Sequence, residues 1–289
     1  MTLFTKLQSL TANLQTMTLP SSPKPLTIAH RGASSLAPEN TMAAARKALE
    51  LDADMWELDV ALTADGQLIV IHDDTLARTS NVAAHFPDRS PWPVHAFTLE
   101  QIRRLDFGSW FIERDPFGQI VVGHVSGTDL NSYIGLLTPT LHEALTFTRD
   151  SDWRANVEIK DLSGRPGDAT IVEQVVTLIE TLAMPDRVLI SSFNHSYLAR
   201  VKMANPGLAT GLLVDDPVDD PVTLLRRFDA QAYHPSAAAI PSDTVADLRA
   251  QGFDVNVWTV NDEAILRHFI EAGASGLFTD FPQRLIQFK

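Results

Sequence analysis

Cysteine is absent from all 289 residues. Disulfides, thiolate metal sites and cysteine nucleophiles are therefore excluded, and the composition fits a reducing compartment, so a cytoplasmic location is expected. Positive charge is scarce: 23 Lys and Arg stand against 36 Asp and Glu, a formal net charge of −13. No basic run forms a stripe, so no nucleic-acid partner is expected. An anionic substrate would have to be attracted locally, by a metal ion or a few placed cations. No stretch approaches the roughly 20 apolar residues of a membrane-spanning helix. The N-terminus lacks the continuous apolar core and small-residue cleavage site of a secretory signal. What remains is ordinary globular material, 45% hydrophobic and 20% charged, long enough to bury most of its surface without staples.

Leu3, Leu7, Leu10, Leu14 and Met17 recur at intervals of three and four, which predicts an amphipathic helix. Pro20–Pro25 reads as a linker, so residues 1–25 are set apart from a main domain over 26–289. The helix is expected to pack on that domain or on a partner, including a second copy of the chain. Only Lys6 is charged there, which argues against membrane attachment.

After the linker, short β-rich runs recur at 26–30, 54–60, 68–72, 155–159, 187–193, 210–214, 229–235, 253–260 and 275–280, with helix-like segments between most of them. Such alternation predicts a parallel sheet with helical crossovers. Only Leu62 to Gln67 separates the second and third runs, too little for a parallel crossover, and Asp65-Gly66 is a hairpin signal. The second strand is thus expected to extend into a hairpin. Eight parallel strands remain, the count of a (β/α)8 TIM barrel. Residues 80–138, rich in Pro, Gly and aromatics with one helix expected near Thr98–Leu105, read as an insertion rising from the barrel rim.

The chemistry gathers at strand ends. In "WELDV", Glu57 and Asp59 alternate onto one face. Like charges so placed repel unless a cation lies between them, and hard divalent ions prefer carboxylate oxygens. "NVEIK" places Glu158 and Lys160 on one face, a third carboxylate and an anion-binding ammonium. A turn centred on Ala64-Asp65 would set Glu57 opposite His72 and Asp59 opposite Val70, returning His72 to the same face. "IAHRG" closes the first strand with His30 and Arg31. Barrel active sites are assembled from the C-terminal ends of several strands, and this set suits metal-assisted attack on a phosphate, with the histidines moving protons. Gly32 permits a tight turn, and Pro38 is expected in the first turn of the next helix.

"AHRG…PENT", "ELDVALTADGQLIVIHDDTLART", "VEIK", "SSF", "VWTVN" and "GLFTDFP" resemble, in order and over about residues 27–284, the glycerophosphodiester phosphodiesterase family. The resemblance implies a TIM barrel with an insertion after the His-Asp block. It also implies His30 and His72 as general acid and base, and Glu57, Asp59 and Glu158 as ligands of Ca2+ or Mg2+. Arg31 and Lys160 would then lie near the phosphate, Phe193 and Trp258 would wall the glycerol, and Glu39 would support the site from behind. The implied reaction releases glycerol 3-phosphate and an alcohol from a small-molecule diester, through attack of the neighbouring glycerol hydroxyl and a cyclic phosphate. Ile112–Leu137 is longer than usual in that family and Gly-rich, and is expected at the substrate entrance. A lysophospholipase-D-like activity on lipids is the runner-up. A non-catalytic binding module is disfavoured because no histidine or acid of the set is missing.

Overall fold

The computed structural model describes residues 24–288. The amphipathic helix expected over 3–17, and with it any oligomer contact it would make, lies outside the described residues, as does most of the linker.

Among the described residues nine strands form one sheet: β1 (Leu26–Ala29), β2 (Met55–Leu62), β3 (Leu68–Val70), β4 (Ala155–Ile159), β5 (Val188–Ser192), β6 (Ala209–Val214), β7 (Ala232–Pro235), β8 (Asp254–Val257) and β9 (Gly276–Thr279). The order β1-β2-β4-β5-β6-β7-β8-β9 is parallel throughout and closes through β9 on β1, so eight strands make the barrel and β3 lies antiparallel on the far end of β2. Strand alternation sorts the side chains. Trp56, Leu58, Val60 and Leu62 of β2 join Val157, Ile159, Val175 and Ile179 in the layer between barrel and helices. Met55, Ile28 and Phe278 pack together inside the barrel. That alternation directs His30, Glu57, Asp59, Glu158, Lys160, Phe193 and Trp258 inward as well. Because both faces are covered, all eight residues of β2 are buried, and two carboxylates are carried into the interior with them.

The hairpin forms one residue out of the expected register. Val60 pairs with Val70 and Leu62 with Leu68, so Asp59 lies opposite Ile71, whose N–H it accepts at 3.0 Å. The turn centres on Asp65, because Thr63 N–H closes the loop onto the Gln67 carbonyl at 3.0 Å and Gly66 takes φ +73°. A one-residue slip would ordinarily flip a side chain to the other face. His72 escapes this because β3 ends at Val70 and the chain is free to turn before it.

The segment after β3 holds more local structure than the one helix expected. Short helices span Val82–His85, Leu99–Ile102, Ser109–Arg114 and Gly127–Tyr133, with 3-10 turns at Pro87–Arg89 and Val94–Ala96. Its apolar residues share their clusters with the barrel: Leu76, Phe97 and Ile102 with Ala61 and Ile69, and Trp110, Phe111 and Tyr133 with Leu36, Ala37 and Ala44. Tyr133 Oη also donates to the Leu36 carbonyl at 2.9 Å. Pro38 departs from expectation: it sits in the turns before the helix Met42–Glu50, where its carbonyl accepts from the capping Thr41 hydroxyl at 2.6 Å. Glu39 therefore also precedes that helix.

Candidate active site

The first βα loop makes a sharp turn. Arg31 takes φ +58° and Gly32 φ +82°, which brings Gly32 so near the following helix that a Cβ there would lie 2.6 Å from the Ala44 carbonyl carbon. The turn aims the Arg31 N–H at Glu57 Oε2, 2.8 Å away. Asn40, also left-handed at φ +56°, clasps Asp59 by donating Nδ2–H to Oδ2 at 2.8 Å.

Glu57, Asp59 and Glu158 converge, with one oxygen from each within 4.8 Å of the others. Lys160 Nζ donates to Glu158 at 2.7 Å and reaches Asp59 at 3.4 Å. Arg31 Nε stands 3.6 Å from Asp59. These cations do not neutralise the cluster evenly. Burial favours protonation of all three acids, but Lys160, Arg31, His72 and the Asn40 bond hold Asp59 well below the usual carboxylate range. Burial and the neighbouring acids push Glu57 well above its ordinary value, and burial with Asp59 raises Glu158. Glu57 Oε1 is buried without a hydrogen-bond partner. A buried oxygen lacking a donor, beside two more carboxylates, is the environment a hard divalent cation completes.

Each histidine is braced by an acid. Asp280, two residues past Phe278 on the inward face of β9, lies 2.8 Å from His30 Nδ1 and accepts from Ser34 Oγ at 2.8 Å and Asn261 Nδ2 at 2.6 Å. Burial alone would raise Asp280, but the His30 imidazole and these bonds overcome it and draw it down to about 2. An ionised carboxylate can only accept, so His30 Nδ1 carries its proton and Nε2 is left for chemistry. His72 Nδ1 makes the equivalent bond to Asp73 Oδ1 at 2.7 Å. Asp73 is also gripped by Arg78, which forms a second fork onto Glu39. Arg31 closes on Glu39 at 2.9 Å.

A cleft lined by His30, Arg31, Glu57, His72, Glu158, Phe193 and Trp258 gathers these groups. Phe193 and Trp258 stand edge to face at 5.6 Å, and the Trp258 indole is fixed by a 2.8 Å bond to the His234 carbonyl. Of the expected site residues these seven line the cleft; Asp59 and Lys160 sit against them through Arg31 and Glu158, and Glu39 lies behind Arg31. Asp280, Asp73, Arg78, Asn40 and Asn261 join them without having been singled out. His234 lies inside the barrel, fully buried, with its pKa driven down to about 3 by burial. It is therefore neutral. Gly211 beside it has no room for a side chain, since a Cβ would lie 2.5 Å from the ring.

A (β/α)8 barrel whose C-terminal mouth holds three carboxylates, a Lys-Arg pair and two acid-braced imidazoles defines a hydrolase of phosphate esters. Residues 30–284 match the family model described as Glycerophosphoryl diester phosphodiesterase family. A glycerophosphodiester phosphodiesterase of Caldanaerobacter subterraneus is 38% identical over 263 residues, covering 91% of this chain and 97% of the relative. One of Bacillus altitudinis is 34% identical, with coverage of 90% and 96%. Among solved structures, an Oleispira antarctica phosphodiesterase in complex with the product sn-glycerol-3-phosphate superposes with a TM-score of 0.77 at 27% identity, covering 91% of this chain and 96% of that one. The chain belongs to the glycerophosphoryl diester phosphodiesterase family, and its activity is hydrolysis of glycerophosphodiesters. No helix of the described residues is long and apolar enough to cross a membrane.

Proposed function

We propose that the protein cleaves small glycerophosphodiesters to sn-glycerol 3-phosphate and an alcohol, with Glu57, Asp59 and Glu158 holding one divalent cation, Ca2+ or Mg2+, and His30 and His72 moving the protons. The observation that carries this reading is the meeting of three carboxylates, one of them with an unpartnered buried oxygen, beside two imidazoles each fixed by a carboxylate. The bound ion would supply charge neutralisation at the phosphate and acidify an oxygen held there. Arg31 and Lys160 bind the remaining phosphate charge. Phe193 and Trp258 present apolar edges to the glycerol carbons and exclude water from one side. One imidazole takes the proton of the attacking glycerol hydroxyl at its free Nε2 while the other protonates the leaving alkoxide. The attack is intramolecular and closes a cyclic phosphate, which water opens with the imidazole roles exchanged. Positioned nucleophiles of this kind reach effective molarities of about 10⁵ M or more. A cytoplasmic location belongs to the same proposal; cell fractionation tests it.

The test is release of glycerol 3-phosphate from choline, ethanolamine, glycerol and inositol diesters, alongside lysolipids, by wild type, His30→Ala and His72→Ala. Wild type is expected to act on the small diesters. Each variant should keep its melting temperature and lose turnover; a variant that retains substantial turnover removes that histidine from the acid-base pair. Preference for lysolipids would replace the small-substrate reading with the lipid-directed one.

A further inference from the structure

The geometry points to Arg78 as the positioning residue that locks the phosphate-facing Arg31 and the proton-moving His72 into one rigid unit. This inference rests on the roles just proposed for those two residues.

Arg31 follows β1 and His72 follows β3, and no hydrogen bond joins them directly. Arg78 joins them through four bonds. Its Nη1 and Nη2 donate to the two Glu39 oxygens, both at 2.7 Å. Its Nε and Nη2 donate to the two Asp73 oxygens at 2.7 and 2.9 Å. Glu39 then holds Arg31 at 2.9 Å, and Asp73 holds His72 at 2.7 Å. The result is an unbroken sequence Arg31–Glu39–Arg78–Asp73–His72 whose two ends both line the cleft. Against the burial that raises them, both carboxylates are drawn below their ordinary pKa, Glu39 chiefly by the Arg78 bond and then Arg31, Asp73 by the His72 bond and then Arg78. They act purely as acceptors, so the bridge must supply donors in two directions. A planar guanidinium does so in a fixed fork; a lysine ammonium is a point charge that cannot span both pairs.

The insertion completes the arrangement. Trp110, buried in the cluster the insertion shares with the first loop and helix, lies with its ring 5.9 Å from the Arg78 guanidinium carbon. The bridge is thus covered from one side by a residue of the segment after β3, which gives that segment a task at the site.

An ion-pair network that only stabilised the fold would lose activity in proportion to folded protein. A positioning bridge loses turnover while the protein remains folded and substrate still binds through Lys160, Phe193 and Trp258. The experiment compares wild type, Arg78→Gln, Arg78→Lys, Asp73→Asn and the Arg78→Gln/Asp73→Asn double variant. All are full-length and saturated with divalent ion; kcat and KM for glycerophosphocholine and thermal melts are measured. Arg104→Gln, which removes only an exposed pair with Glu100, is the surface control. The expected result is a fall in kcat of about 10- to 100-fold for Arg78→Gln, by analogy with loss of the outer partners that orient metal ligands, with KM changed much less. Arg78→Lys should recover thermal stability but not kcat. The double variant should be no worse than the more damaging single one, because both break the same sequence of bonds. Full kcat in Arg78→Lys, kcat losses that add in the double variant, or an unchanged kcat in Arg78→Gln would overturn the inference. Failure of wild type on every glycerophosphodiester would instead overturn the functional reading beneath it.

Discussion

Replacing Asp280 with Asn removes one negative charge and nothing else of consequence in volume. Asp280 titrates at about 2 instead of 3.8, a depression worth about 2 kcal/mol at 1.36 kcal/mol per unit. The folded-state pKa lies below the unfolded one, so this contribution is fully present above about pH 4 and is lost as the pH falls toward 2. At pH 7 the variant should therefore be less stable by about 2 kcal/mol, a fall in Tm of about 3 °C for a chain of this size. Near pH 2 the two proteins should converge. The effect on turnover should be larger. A carboxamide can turn its NH2 toward His30 Nδ1, forcing the proton to Nε2, where the imidazole can no longer accept one. The corresponding change in a serine protease triad costs about 10⁴-fold in kcat. The assays are glycerol 3-phosphate release at saturating diester and divalent ion, and melts at pH 7 and at pH 2–3. A kcat equal to wild type, or a Tm loss of equal size at both pH values, would refute the argument that Asp280 acts as the anionic partner of His30.

Glu57→Gln should abolish the thermal stabilisation that a divalent ion gives the wild type. Because the Glu57 pKa is raised in the fold, its ionised form is destabilising without the ion. The ion-free variant should thus melt higher than ion-free wild type at neutral pH, and a lower melt would contradict this sign. For the same reason, ion affinity of the wild type should rise with pH, since binding favours the deprotonated acid; titration calorimetry at two pH values reads it, and a flat profile would count against it. Gly32→Ala combines a left-handed φ with a 2.6 Å contact to the next helix and should cost about 2–5 kcal/mol in denaturant unfolding. A loss under about 1 kcal/mol would show that the loop relaxes.

The barrel was legible in the sequence because its strands are short apolar runs bounded by turn residues, and because alternation from Met55 through Asp59 names the inward face without knowledge of the partner strands. The hairpin register was not legible to the residue. Asp65-Gly66 marks a turn, but whether it centres on Ala64-Asp65 or on Asp65 depends on how Thr63 and Gln67 close the loop, a matter of backbone hydrogen bonding that residue types do not encode. His72 reached the cleft despite the slip because it lies past the last paired residue. Asp280 could have been found: it stands two residues beyond inward-facing Phe278, and the rule that selected Glu57 and Asp59 selects it too. Arg78 could not, since its partners lie five and 39 residues before it in the chain, and only the folded first loop brings Glu39 to it.

In the proposed site Glu57, Asp59 and Glu158 share one cation on which turnover depends. Titrating a single divalent ion into chelator-stripped enzyme, while following bound ion and glycerol 3-phosphate release together, tests it most directly. One ion per chain should bind, with turnover rising from baseline in proportion and neither event occurring in Glu57→Gln. Full turnover by the stripped enzyme, or ion binding that survives loss of Glu57, would contradict it.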